Sequence, residues 1–171
     1  MFDKNFRLKL YRTMFLIRST EQKIIKHYME DEMKTPVHLY IGGEAIATGV
    51  CLALKPEDQV FGTYRSHGLY LAKTGETDKF FAELYGKVTG TAKGKAGSMH
   101  LSAPEVGFLG TSAVVGTTIP LALGAAFVNK RKNNGKMVAV FFGDGGVDEG
   151  VFWESLNLAC LKKLPVIFVC E

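Results

Sequence analysis

Residues 137–170 leave few folds open. Met137-Val138-Ala139-Val140-Phe141-Phe142 is an unbroken apolar run of strand length, and Gly143-Asp144-Gly145-Gly146 follows it directly. Residues 147–161 have the length and pattern of a helix, and Val166-Ile167-Phe168-Val169-Cys170 is a second apolar run. A strand with no polar alternation is buried on both faces, as parallel strands are. Strand, glycine-rich turn, helix and strand make a βαβ unit, which closes by a right-handed crossover. The expected class is therefore α/β, an open parallel sheet with flanking helices.

The rest of the chain can be read around that unit. Leu10, Tyr11, Met14, Phe15, Ile17, Ile24, Ile25, Tyr28 and Met29 recur at helical spacing with Arg12, Lys23, Lys26 and Glu30 between them, which predicts a long amphipathic helix. Residues 35–43 are irregular and carry His38; 44–54 resume a helix that Lys55-Pro56 ends. A short strand is expected over 59–62, helices over 67–73 and 77–85, and a helix over 118–132 stopped by Asn133-Asn134-Gly135. The stretch 86–97 holds four of the nineteen glycines with Lys87, Lys93 and Lys95, and reads as a mobile or ligand-shaped loop. With 171 residues, 47% hydrophobic and 22% charged, the chain is expected to form one α/β domain preceded by a helical extension over about 1–35.

Composition narrows function by exclusion. A net charge of +4 is mild and the basic residues are interspersed with acids, so nucleic acid is not an expected partner. Apolar runs fall far short of the roughly 20 residues that span a bilayer. Asp3, Lys4 and Arg7 occupy the place of a secretory apolar block, and Cys51, Cys160 and Cys170 are odd in number and widely spaced. A reducing, cytoplasmic location is the expectation.

Open α/β sheets bind ligands at the carboxyl ends of their strands, which is where Gly143-Asp144-Gly145-Gly146 falls. Amides at a helix start favour an anion such as a diphosphate. Asp144 cannot contact phosphate favourably, but it can hold a hard cation that bridges to phosphate oxygens. The plainer alternative is that Asp144 caps the next helix and the glycines make a tight turn.

Several motifs then converge. Gly143-Asp144-Gly145, the helix Val151-Phe152-Trp153-Glu154-Ser155-Leu156-Asn157-Leu158-Ala159 and the strand Leu164-Pro165-Val166-Ile167-Phe168-Val169-Cys170-Glu171 resemble the thiamine diphosphate motif. His38-Leu39-Tyr40-Ile41-Gly42-Gly43-Glu44-Ala45, Tyr64-Arg65-Ser66-His67-Gly68 and Lys93-Gly94-Lys95-Ala96-Gly97-Ser98-Met99-His100 are similar to signatures of the alpha subunits of pyruvate, acetoin and branched-chain 2-oxo acid dehydrogenases. The resemblance covers nearly the whole chain, with the motifs in order.

The resemblance implies the amino-terminal part of a thiamine diphosphate-binding fold and a set of roles. Tyr64 and Arg65 would grip the diphosphate, a hydroxyl donor beside a planar fork of donors. Asp144 would hold Mg2+, and the family's Asn-Asn pair, whose second asparagine is a metal ligand, would be expected just after Glu171. Gly145 and Gly146 would bring main-chain amides to the diphosphate. Ala113, where the family often has glycine, and Val115 would meet the cofactor. His38 would sit near cofactor and substrate, and His100 could face the active-site channel, whereas His67 reads as the start of a helix. The glutamate that activates the aminopyrimidine would come from a partner beta subunit, in an alpha2beta2 heterotetramer that could pass its product to a lipoyl-bearing acyltransferase. The expected activity is oxidative decarboxylation of a 2-oxo acid. Two alternatives remain: a NAD-binding Rossmann-type oxidoreductase fragment, with Glu171 as the ribose-binding acid, and a truncated, non-catalytic assembly subunit.

Overall fold

The structure is a computed structural model that describes residues 3–171; Met1 and Phe2, part of the expected helical extension, lie outside the described residues. Four strands, β1 (Gln59–Thr63), β2 (Phe108–Ser112), β3 (Val138–Phe142) and β4 (Val166–Cys170), form one parallel sheet in the order β2-β1-β3-β4. Among the described residues six α-helices surround it: α1 (Lys4–Tyr28), α2 (Glu44–Ala53), α3 (His67–Thr74), α4 (Thr77–Leu84), α5 (Thr118–Lys132) and α6 (Gly150–Lys162).

The alternation of side chains along β3 divides the core between two layers. Ala139 and Phe141 join Ile17 and Ile24 of α1, Ala47 of α2, Leu69 and Tyr70 of α3 and Phe80 of α4 on one face. Val138, Val140 and Phe142 meet Ile119, Ala122 and Ala126 of α5 and Phe152 and Ala159 of α6 on the other. All five residues of β3 are buried, as its uniform apolarity requires of a strand covered on both sides. On α1 the apolar stripe is wider than the buried one: Ile17 and Ile24 are covered, but Tyr11, Phe15 and Ile25 are exposed.

Helix limits follow local chemistry. The Asp3 side chain accepts from the Phe6 N–H at 2.8 Å and caps α1. α5 and α6 end on Asn133 and Lys163 in the left-handed region, and Asn133 tolerates it better than most residues. The expected helix over 147–161 is divided: Asp144–Asp148 form a 3-10 turn, Glu149 is extended, and α6 starts at Gly150. Two adjacent glycines weaken helix there, and the tight turn reverses the chain within five residues.

The 86–97 loop is wound around a carboxylate. Glu83, buried at the end of α4, accepts hydrogen bonds from the N–H groups of Ala92, Gly94, Ala96 and Gly97 at 2.7–3.1 Å. Burial pushes its carboxyl upward, but the four amides outweigh that and hold it below the ordinary carboxylate range. Gly94, at φ +75, packs so closely that a Cβ would lie 2.4 Å from the Gly86 backbone.

Candidate functional site

The strand order contains a reversal. From β1 the chain moves outward to β2 on one side, then returns over β1 through α5 to β3 and continues to β4. Connections leaving β1 and β3 therefore diverge, and a crevice opens between their carboxyl ends. A cleft of about 610 Å³ lies there, lined by Tyr64 and Arg65 after β1, by Gly143, Asp144, Gly145 and Gly146 after β3, and by Tyr40, Ile41, Val115, Gly116 and Glu171.

Asp144 opens the 3-10 turn with its residue exposed on the cleft. It does not cap α6, which begins at Gly150 with Glu149 at the cap position. Gly146 N–H donates to Gly143 O at 2.9 Å, while among the described residues the N–H groups of Asp144 and Gly145 have no acceptor. Around Gly145 an added Cβ would meet no atom within 4 Å. The turn thus brings two amides without acceptors and a carboxylate to the cleft.

Opposite, Arg65 Nη1 donates to Leu39 O at 2.8 Å, and the guanidinium carbon lies 5.9 Å from the centre of the Tyr64 ring. That one bond fixes the fork and leaves further donors for an anion. His38 meets Tyr64 edge to face at 4.7 Å between ring centres, which sets the loop histidine behind Tyr64 but outside the cleft lining. Val115 lines the cleft. Ala113 is half-buried outside the lining, and His100 is exposed on a segment that does not reach it.

Composition and spacing gave no warning of two further features. The Tyr40 ring is wedged between Gly43 and Gly68, where added Cβ atoms would lie 2.8 and 2.2 Å from it, and its hydroxyl donates to Glu171 at the cleft wall. Burial raises the Glu171 carboxyl, with Tyr40 and the Arg65 charge working against it; burial likewise raises the Tyr40 hydroxyl. Glu44 receives Arg18 Nε at 2.5 Å and the Gly42 N–H at 3.0 Å, which lowers its carboxyl and ties α1 to the loop entering α2. Arg18 lies 26 residues from Glu44 and Tyr40 lies 131 from Glu171, beyond any local pattern.

The donor set suits a diphosphate: a fork of guanidinium donors, a phenol hydroxyl, and two cleft-lining residues whose amides have no acceptor among the described residues. A cation would find Asp144. Among the described residues no group of three or more His, Cys, Asp or Glu could hold a metal by itself. Phosphate oxygens, water and further donors would have to complete the shell, as magnesium commonly requires. Among the described residues no helix is long and apolar enough to cross a membrane.

Residues 11–171 match the family model of the dehydrogenase E1 component. The chain is 42% identical over 164 residues to the alpha subunit of acetoin:2,6-dichlorophenolindophenol oxidoreductase of Bacillus subtilis (strain 168), covering 96% of this chain and 49% of that protein. It is 43% identical over 170 residues to the pyruvate dehydrogenase E1 component subunit alpha of Rhizobium meliloti (strain 1021), covering 99% and 49%. To the chloroplastic pyruvate dehydrogenase E1 component subunit alpha-3 of Arabidopsis thaliana it is 42% identical over 170 residues, covering 96% and 40%. It spans about half the length of the first two relatives and 40% of the third. With that match running from the first helix to the last strand, the chain belongs to the dehydrogenase E1 component family.

Proposed function

We propose that this chain supplies the diphosphate- and metal-binding side of a thiamine diphosphate- and Mg2+-dependent 2-oxo acid dehydrogenase, as alpha subunit beside a beta subunit. The observation that carries the reading is that Asp144 shares one cleft with Tyr64 and Arg65, although β1 and β3 are far apart in sequence. Arg65 and Tyr64 would hold diphosphate oxygens from one wall, and the amides of Asp144 and Gly145 from the other. The Asp144 carboxylate would accept the cation that offsets its own repulsion from phosphate. His38, packed on Tyr64, would hold a proton near the substrate carboxylate or a developing oxyanion. When bound, the cofactor supplies a carbon nucleophile and an electron sink for decarboxylation.

The relatives named as alpha subunits support a beta partner; an alpha2beta2 assembly and oxidative decarboxylation of a 2-oxo acid are part of the proposal. Cytoplasmic location and delivery of product to a lipoyl-bearing acyltransferase complete the proposal. Titration calorimetry tests it on a full-length subunit containing this chain, assembled with its beta partner and magnesium. Thiamine diphosphate uptake is expected, and Asp144→Ala should abolish it. Uptake unchanged by that substitution would remove Asp144 from the site and the reading with it.

A further inference from the structure

Three polar side chains from separate elements meet inside the apolar layer beneath the cleft. His67 Nδ1 lies 2.8 Å from Glu21 Oε1 of α1, and Nε2 lies 2.6 Å from Ser98 Oγ at the end of the glycine-rich loop. The ring packs edge-on against Phe80 at 4.9 Å. In outline this is an acid, histidine and hydroxyl series of the kind that activates serine nucleophiles. No reagent reaches it: Glu21 and His67 are 0% exposed and Ser98 is 1% exposed. Burying these groups costs desolvation that their bonds offset only in part, because among the described residues Glu21 Oε2 has no hydrogen-bond partner. The arrangement gives rigidity instead, since an imidazole bonded at both nitrogens cannot turn without losing one bond.

That rigidity is delivered at one place. His67 is the first residue of α3, and Tyr64, Arg65 and Ser66 precede it as the turn leaving β1. α3 has only eight residues, so its first residue strongly constrains where that turn points. Ser98 follows directly on the segment that Glu83 holds, and its own N–H donates to Thr35 Oγ1 at 3.0 Å, three residues before His38. One imidazole therefore ties α1, the loop and the entry to the turn together.

We propose that His67 is a positioning residue. Held between Glu21 and Ser98, it fixes the turn over residues 63–66 so that Tyr64 and Arg65 face the anion end of the cleft before a ligand arrives. The inference rests on the cofactor reading above for its functional meaning, but not for its mechanics.

Ser98→Ala removes one of the two bonds and leaves the ring packed, so the variant should fold. In the ligand-free chain, amide exchange at Arg65 and Ser66 should rise by about tenfold while that of Val140 in β3 holds. In the full-length subunit assembled with its partner, affinity for thiamine diphosphate with magnesium should fall by a similar factor, with kcat at saturating cofactor unchanged. His67→Gln, which gives up the bond to Glu21, should show the same local pattern. Exchange that rises equally at Val140, or stays unchanged at Arg65 and Ser66, overturns the proposal. If Arg65→Ala leaves cofactor uptake intact, the cofactor reading fails, and the exchange result still decides whether His67 fixes the turn.

Discussion

Two glycine-rich, charge-bearing segments read alike in the sequence and fold to opposite purposes. The 86–97 loop turns four N–H groups inward onto Glu83, whereas the turn after β3 leaves the amides of Asp144 and Gly145, two residues of the cleft lining, without an acceptor among the described residues. Glycine permits close backbone approach in both cases. What is approached differs: in the loop it is the protein's own carboxylate, and in the turn it is the cleft. The destination of the N–H groups separates a structural loop from a binding loop, and glycine count does not.

The comparison breaks most readily at the two acids. Glu83→Ala strands four partly buried amides and should cost about 4 kcal/mol in urea unfolding, while Asp144→Ala should stay within about 0.5 kcal/mol of the parent. Equal costs would mean that the turn after β3 is as much a part of the scaffold as the loop.

A smaller contrast is expected at the glycines. Gly94→Ala forces a positive φ and a contact with the Gly86 backbone, and should cost about 2 kcal/mol. Gly145→Ala meets no neighbouring atom, so its stability should change by less than about 1 kcal/mol and its effect should show in diphosphate affinity. A thermal melt of each variant beside calorimetry separates the two.

The smallest effect is a pH dependence confined to the loop. Because the folded Glu83 carboxyl sits below its unfolded value of about 4.3, its contribution is fully present above that pH. It is lost as pH falls through the folded value. Amide exchange at Ala92, Gly94, Ala96 and Gly97, corrected for intrinsic rates, should therefore accelerate only under acid, with no matching change across 143–146. A loop that loosens near neutrality would assign its order to something other than this carboxylate.

How far the sequence could be read follows from the range of the forces involved. β3, β4 and α5 carry their signals locally, in unbroken apolar runs and a left-handed stop at Asn133, and they fall where pattern puts them. β2 escaped that reading. Only Phe108 of its five residues is fully buried, Gly110 breaks the pattern, and the strand exists through pairing with β1 across an irregularity between Val60 and Phe61. Tyr64, Arg65 and Asp144 were legible because their motifs are contiguous, and the sheet brings them to one cleft. His67 begins a helix as expected, but its partners lie 46 and 31 residues away, so nothing nearby marks it as the centre of a buried chain of bonds. The inward turning of the 86–97 loop was hidden for the same reason, since its acid lies outside the loop.

The pairing of β1 with β3 also has a kinetic consequence. Asp58, at the foot of β1, accepts the Met137 N–H across a separation of 79 residues, and the two cleft walls are joined only once that long contact closes. The β3–α6–β4 unit can assemble from near neighbours, but closing the distant pair carries a larger entropic cost. A ligand clamped between the two walls would then act chiefly as a brake on unravelling, lengthening the lifetime of the native state more than it speeds its arrival.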